Sequence, residues 1–337
     1  MASWHRVRLV FAPGVEVEFV DRERGLEQVR EVAERGTRFP LVVYGPEGCG
    51  KTALLRQALE VLKSMGYSVV YIDPLGRDPR ERLLTTEDVA RIAGRIIEEV
   101  VRLPVSELVG AALTLVSRLF GRRGRIALIA DDVFQAIGVE RVEPLVKSLL
   151  NLVEYPPAGY ERIVVLVASS EGVSRRRLGR HNWAELRMMW NLSRRGFEEL
   201  YEQLPGPKPP LEEAWRWTGG NPRYLSRLYE AGWRVERVVE EIIVERRVLR
   251  ALAKRWGGAL EAIVEDPDSI MEDYERLENL AEKLIELNML AEMVEYRSGD
   301  LWVDQPPPER DPELGIGRYY AWVTPLHREA VRRLLSE

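Results

Sequence analysis

One cysteine stands in 337 residues, so no disulfide can form within the chain, and a reducing compartment, the cytoplasm, is expected. No apolar run reaches the roughly 18 residues of a membrane span, and the start does not read as a signal peptide. There is no excess of positive charge. At a net charge of -5, no global basic field announces a nucleic acid, although a local basic face stays open. Lysine is scarce, occurring only at positions 51, 63, 147, 208, 254 and 283, so arginine supplies 43 of the 49 basic residues. Many Arg, many Glu and few Gln fit a heat-adapted organism. What is present is ordinary for a globular chain: 45% hydrophobic and 31% charged residues, over a length that suits two or three domains.

The strongest local signal is the run from Gly45 to Thr52, Gly-Pro-Glu-Gly-Cys-Gly-Lys-Thr. It fits G-x-x-x-x-G-K-[ST]. A short apolar run, 39–44, reads as a buried strand before it, and 53–62 carries apolar residues at helical spacing after it. Strand, Gly-rich turn and helix together make a phosphate cradle. Gly45, Gly48 and Gly50 let successive N–H groups turn toward an anion, with Pro46, Glu47 and Cys49 as the variable positions. The helix that starts with Lys51, Thr52 and Ala53 adds its N-terminal dipole. Lys51 is expected to reach the β- and γ-phosphates, and the Thr52 hydroxyl to ligate Mg²⁺. Cys49 reads as filler rather than redox chemistry.

A second signal is the apolar strand Arg125–Ala130 ending in adjacent carboxylates, the Walker B form. Asp131 is the expected magnesium holder through its water shell, and Asp132 the residue that orients or deprotonates the attacking water. Aspartate is one methylene shorter than the glutamate common in that second place, which bears on the hydrolysis rate. Further strands are expected over 67–73 and 161–170, and two helices over 86–120 joined near Leu103-Pro104, with Val89, Ile92, Ile96, Ile97, Val100, Leu108, Ala112, Leu115 and Leu119 inward.

At the N-terminus, 6–11 and 15–19 alternate around Ala12-Pro13-Gly14, a hairpin with Gly14 left-handed. Phe11 is expected opposite Val15, Leu9 opposite Val17, Val7 opposite Phe19, and Arg8 opposite Glu18 on the other face. A lone hairpin is barely stable, so its apolar face must dock, either on its own chain or on a neighbouring subunit.

The stretch Phe19-Val20-Asp21-Arg22-Glu23, about twenty residues ahead of the cradle, resembles the opening motif of AAA+ and STAND-type ATPases, with Asp21 where that group usually has Gly. Thr218-Gly219-Gly220-Asn221-Pro222 resembles the Gly-x-Pro lid motif of STAND ATPases, although Gly-Gly and Asn-Pro also simply end one helix and start the next. With Walker A and B between them, the motifs cover about 19–235. The chain resembles an archaeal ATPase of the STAND/AAA+ group, near its initiator-like branch. The resemblance implies that Val20 and Arg22 lie against the adenine, that Ser169 or Ser170 senses the γ-phosphate, that Pro222 contacts base or ribose, and that Arg180, in the basic stretch 175–181, completes a neighbour's site as an arginine finger.

It also implies a fold: an α/β P-loop NTPase parallel sheet with a hairpin (1–20), ATPase core (21–192), α-helical lid (193–240) and C-terminal winged-helix-like domain (241–337). The tail reads as a helix over 235–256, an amphipathic helix over 274–288, three strand-like pieces and a closing helix over 325–335. Glu275, Glu278, Glu282 and Glu286 give the would-be recognition helix a face that repels DNA phosphates. The expected activity is Mg-dependent ATP hydrolysis, with ATP/ADP and Mg²⁺ as cofactors. The expected partners are other copies of the chain, through the hairpin or otherwise, and a protein or DNA at the C-terminal domain. The alternatives are a nucleotide-gated module with negligible turnover and a DNA-associated initiator-like ATPase.

Overall fold

The computed structural model describes residues 5–76, 78, 81–91, 103–121, 124–170 and 178–337. The chain divides into two compact units, one of Met1–Val7, Glu23–Tyr44 and Lys51–Met188, the other of Arg8–Arg22, Gly45–Gly50 and Met189–Glu337.

The N-terminal hairpin, β1 (Arg8–Ala12) and β2 (Val15–Glu18), belongs to the second unit. Arg8 faces Glu18 and Leu9 faces Val17, as alternation predicts. The turn is tighter than expected. Ala12 pairs with Val15 across Pro13-Gly14, and a bulge between Val10 and Ala12 takes the place of the expected Phe11–Val15 pair. Gly14 is left-handed at φ 77°, so two residues close the loop. Leu9, Phe11 and Val17 pack with Phe197, Leu200 and Leu225 of the same chain. The Ser226 hydroxyl donates to the Phe11 carbonyl at 2.6 Å.

In the first unit, α1 (Glu23–Arg35) and α2 (Lys51–Ser64) flank the start of the sheet formed by β3 (Leu41–Gly45), β4 (Tyr67–Ile72), β5 (Leu83–Thr85), β6 (Arg125–Ala130), β7 (Arg162–Ser170) and β8 (Glu185–Met189). The order across it is β8-β3-β7-β6-β4-β5. β3 runs parallel to β8, and β6 runs parallel to both β4 and β7. The three-residue β5 is antiparallel to β4; this edge strand escaped the sequence reading because it is too short to show a period. Strands so buried read as continuous Val/Ile/Leu runs, which is how parallel sheets look in sequence. Helices α3 (Val105–Ser117), α4 (Val133–Ile137) and α5 (Val142–Glu154) also belong to this unit. Leu108, Ala112, Leu115 and Leu119 are buried in its core, as expected. The expected inward positions Ile92, Ile96, Ile97 and Val100 lie outside the described residues.

The rest of the second unit begins with α6 (Arg194–Glu202), α7 (Leu211–Thr218) and α8 (Pro222–Glu230). Gly219, at φ 56°, ends α7, and Asn221 caps α8 by accepting from the amides of Arg223 and Tyr224, with Pro222 in the first turn. Where one helix was expected over 235–256 there are two, α9 (Val235–Glu245) and α10 (Val248–Glu265). Arg246 leaves helical geometry between them, and its guanidinium donates to the Leu287 carbonyl. Residue 240 therefore falls inside α9. α11 (Tyr274–Glu286) turns Leu277, Leu280 and Leu284 inward. β9 (Leu290–Glu292) pairs antiparallel with β11 (Tyr320–Trp322), β10 (Trp302–Val303) stands outside that two-stranded sheet, and α12 (Pro325–Ser336) closes the chain.

Candidate phosphate loop and carboxylate site

Two sets of residues carry the chemistry, and each lies within one unit. The first is the loop Gly45–Gly50, grouped with the hairpin and the C-terminal half. Gly45 sits at φ 153°, and a Cβ there would collide with the Met189 carbonyl oxygen. Gly48 sits at φ 79°, where a Cβ would collide with the Arg223 side chain and the Asn221 amide. Gly50 is also left-handed, at φ 102°. Glycine is thus required at Gly45 and Gly48 by close approach as much as by backbone conformation, and at Gly50 by conformation alone. Pro46 and Cys49 are buried, Glu47 is half-buried, and the Cys49 thiol contacts the Met189 carbonyl at 3.6 Å.

The loop is held from outside by side chains. Asn221 Nδ2 donates to the Glu47 carbonyl at 3.0 Å and to Asn191 Oδ1 at 2.9 Å. Arg223 pairs its Nη1 with Glu47 Oε1 at 3.0 Å. Arg22, only 2% exposed, donates through Nη2 to the carbonyls of Cys49 (3.0 Å) and Trp190 (2.6 Å), and through Nη1 to Asp304 Oδ2 (3.4 Å). Val20 is buried among Leu192, Phe197 and Leu225. Pro222 is half-buried at the start of α8. Asp21 occupies the position where the resemblance leads one to expect glycine, and the backbone shows why: φ there is 61°. Aspartate tolerates that region, and its carboxylate accepts from the Ser193 amide (2.8 Å) and hydroxyl (3.0 Å), anchoring the cap of α6.

The second set lies in the first unit, around the C-terminal tips of β4 and β6. Ile72 pairs with Ala130 in register, so Asp73 and Asp131 emerge side by side. Tyr71, two residues before Asp73, lies on the same face as Asp131 and donates its hydroxyl to Asp131 Oδ2 at 2.9 Å. The Thr52 hydroxyl also hydrogen-bonds Asp131. Asp131 is 1% exposed, and its carboxyl is pushed up to about 7, first by burial and then by the like charges of Asp132 and Asp73. The bonds from Thr52 and Tyr71 pull the other way. Burial, and then Asp132, also raise Asp73, against the Arg56 charge and the amides of Leu75 and Gly76. Burial and the Asp131 charge push the Tyr71 phenol up, so it stays a donor.

Asp132 stands at the N-cap position of α4 in the left-handed region, at φ 47°, a conformation that aspartate tolerates, and its side chain makes no capping bond. Lys51 and Thr52 open α2, half-buried, with Ala53 after them. Ser169 is buried near the tip of β7. Arg180 is exposed between Leu178, which is buried, and β8; the neighbouring cluster at Arg175, Arg176 and Arg177 lies outside the described residues.

Tyr71, Asp73 and Asp304 were not singled out from the sequence, and Asn221 was read only within the lid motif and as a helix start. The first two were legible only as strand residues, because their role depends on which strand lies beside them. Asp304 carries no sequence signal at all.

A hydroxyl hydrogen-bonded to a desolvated carboxylate that two further carboxylates crowd is a donor set suited to a hard divalent cation. Among the described residues no group of three or more His, Cys, Asp and Glu side chains could hold a metal by itself.

A family model described as an ATPase domain predominantly from Archaea matches residues 19–228. No curated protein matches. Among solved structures, the chain is similar to Cdc6p from Pyrobaculum aerophilum, at 15% identity over 98% of this chain and 99% of that one, with a TM-score of 0.39. It is similar to a RuvB variant of Thermotoga maritima, at 16% identity over 82% and 90%, TM-score 0.39. It is also similar to the AMPPCP-bound DnaA of Aquifex aeolicus, at 19% identity over 74% and 75%, TM-score 0.35. Likenesses this distant carry no weight beside the family match. No described helix is long and apolar enough to cross a membrane.

Proposed function

From the premise that the chain belongs to this family of ATPase domains, found predominantly in Archaea, we propose that it binds Mg·ATP on the consecutive residues Gly45 to Thr52 and hydrolyses it with Asp131 and Asp132. The observation that supports this most is the Thr52–Asp131–Tyr71 arrangement, which joins the last residue of the Walker A motif to the first carboxylate of Walker B. On this reading the loop amides and Lys51 bind the phosphates, and Tyr71 fixes the rotamer of Asp131. Thr52 and Asp131 would hold magnesium, which supplies charge neutralisation on the phosphate oxygens. Asp132 accepts a proton from the attacking water as its oxygen bonds to the γ-phosphorus and the β–γ bridging oxygen departs with ADP. Ser169 is the proposed γ-phosphate sensor; Val20 and Pro222 are the proposed base and ribose contacts. The nucleotide state is coupled, in this proposal, to the lid and the C-terminal segment. A soluble, cytoplasmic setting belongs to the same reading.

Steady-state turnover tests it. The parent is expected to hydrolyse ATP with Mg²⁺ and not with excess EDTA. Asp132→Asn is expected to retain ATP binding while kcat falls roughly 10²- to 10⁴-fold, the range for a lost general base. Unchanged kcat in Asp132→Asn would overturn the role given to that residue.

Arg180 is proposed as a residue that acts on a neighbouring copy. Turnover per chain is then expected to rise with protein concentration, and Arg180→Ala to abolish that rise, with a loss of up to about 10³-fold at saturating protein. Specific activity independent of concentration in both proteins would remove the inter-subunit role. The hairpin packs on its own chain, which favours self-association elsewhere. The exposed Glu275, Glu278 and Glu286 on α11 favour a protein partner over DNA phosphates at that face.

A further inference from the structure

We propose that Asp304, far along the chain in the C-terminal segment, and Arg22 are positioning residues that pre-form the phosphate-binding loop. The inference rests on the reading that this loop takes nucleotide phosphates.

A peptide unit is planar and trans, so its carbonyl and the following amide point in opposite directions. Fixing one fixes the other. The Cys49 carbonyl is held by Arg22, so the Gly50 amide is directed away from Arg22. The Glu47 carbonyl is held by Asn221, so the Gly48 amide is directed away from Asn221. Among the described residues neither amide has a protein acceptor. Alternate peptides of the loop are thus clamped by their oxygens, and the amides of Gly48 and Gly50 are left for an anion. Successive amides so arranged form an anion-binding nest. In a free loop these peptides would rotate, and ordering them would subtract from binding.

Arg22 can clamp the loop because it is itself clamped. Its side chain and that of Asp304 are 2% and 3% exposed, and the two are 282 residues apart in sequence. Nη2 bridges the Cys49 and Trp190 carbonyls, so the guanidinium is fixed on three sides. Arg22 at φ 68° and Asp304 at φ 67° are both left-handed, without glycine to ease it. Such strain persists where the surroundings over-determine the conformation, and it gathers at functional sites. Aspartate tolerates that region, so the strain lies at Arg22, and a buried arginine needed only for packing would not require it.

The test uses the full chain and a fluorescent ATP analogue, with Kd and kcat measured separately. The double variant Arg22→Met, Asp304→Leu removes both buried charges together, which commonly leaves stability intact, but leaves the Cys49 carbonyl unheld. It is expected to fold and to bind ATP roughly tenfold or more weakly, the cost of a loop no longer pre-organised, with kcat at saturating ATP within about threefold of the parent. Asp304→Asn keeps the shape and loosens the clamp, and is expected to raise Kd by about half as much on a logarithmic scale. It decides the matter should the double variant not fold. A folded variant that binds ATP with the parent's Kd overturns the inference, even if its melting temperature is lower. A parent that binds no ATP overturns the nucleotide reading beneath it, a separate and distinguishable result.

Discussion

Lys51→Ala is expected to remove ATP binding from the working concentration range and to reduce turnover below detection. Lys51 is the next-to-last residue of the Gly-rich motif and the first residue of α2, so it follows directly in sequence on the glycines proposed to hold phosphate and opens a helix N-terminus. Truncating one partner of a desolvated charge pair costs about 2–5 kcal/mol. That corresponds to roughly 30- to several-thousand-fold in Kd. A further loss of about 10²–10³ in kcat follows if the same charge stabilises the transition state. The helix start itself should survive, because alanine is the best helix former. Far-ultraviolet circular dichroism and the melting temperature are therefore expected to match the parent, while titration with ATP shows no saturation at millimolar ligand. A variant that binds ATP as the parent does would mean that the motif is only a turn.

The second large effect concerns stability. Asp131 is buried against Asp73 and Asp132, and without a cation its carboxyl is raised to about 7. The unfolded chain releases that proton near pH 4. Between roughly pH 4 and 7 the folded state therefore holds a proton that the unfolded state has lost, and stability falls as pH rises through this window. The size for this group alone is about 4 kcal/mol, at 1.36 kcal/mol per pH unit. Denaturant midpoints in EDTA are expected to be higher at pH 5 than at pH 7.5. In Asp131→Asn, which has nothing to titrate there, that part of the fall should vanish, so at pH 7.5 the variant is the more stable protein. Its ATP turnover should nonetheless be lost, since in the proposed mechanism this carboxylate receives the cation, and such a site carries its cost when empty. Parallel loss of stability in parent and variant would show that Asp131 is already charged at pH 5.

The parallel sheet could be read from the sequence because its strands are buried on both faces and therefore write themselves as unbroken apolar runs. The strand, the Gly-rich turn and the helix start at Lys51 could be read because the motif is local in sequence, as are the two aspartates that follow β6; the roles proposed for Lys51, Thr52 and the aspartates rest on that motif. Gly14, the Arg8–Glu18 pair and the Asn221-Pro222 helix start were likewise local. What escaped was whatever depends on a neighbour distant in sequence. Tyr71 gains its role only once β4 lies beside β6. Arg22 was read as facing adenine from its motif alone, whereas its guanidinium is spent on the Cys49 and Trp190 carbonyls and on Asp304. The Phe11–Val15 pair gave way to a bulge because the turn closes with two residues, a choice that apolar alternation does not record. The break between α9 and α10 was invisible because Arg246 and Arg247 are good helix formers; a tertiary bond to Leu287 decides it.

The claim that this chain cleaves ATP, and does not merely hold it, is met most directly by a single-turnover experiment. Excess protein is mixed with a small amount of labelled ATP and Mg²⁺, and the label is followed from ATP to ADP in the parent and in Asp132→Asn. The account predicts that the parent converts all bound ATP in one exponential phase, while Asp132→Asn returns it intact from the same complex. Intact ATP recovered from the parent's complex would contradict hydrolysis and identify the chain as a nucleotide-held switch.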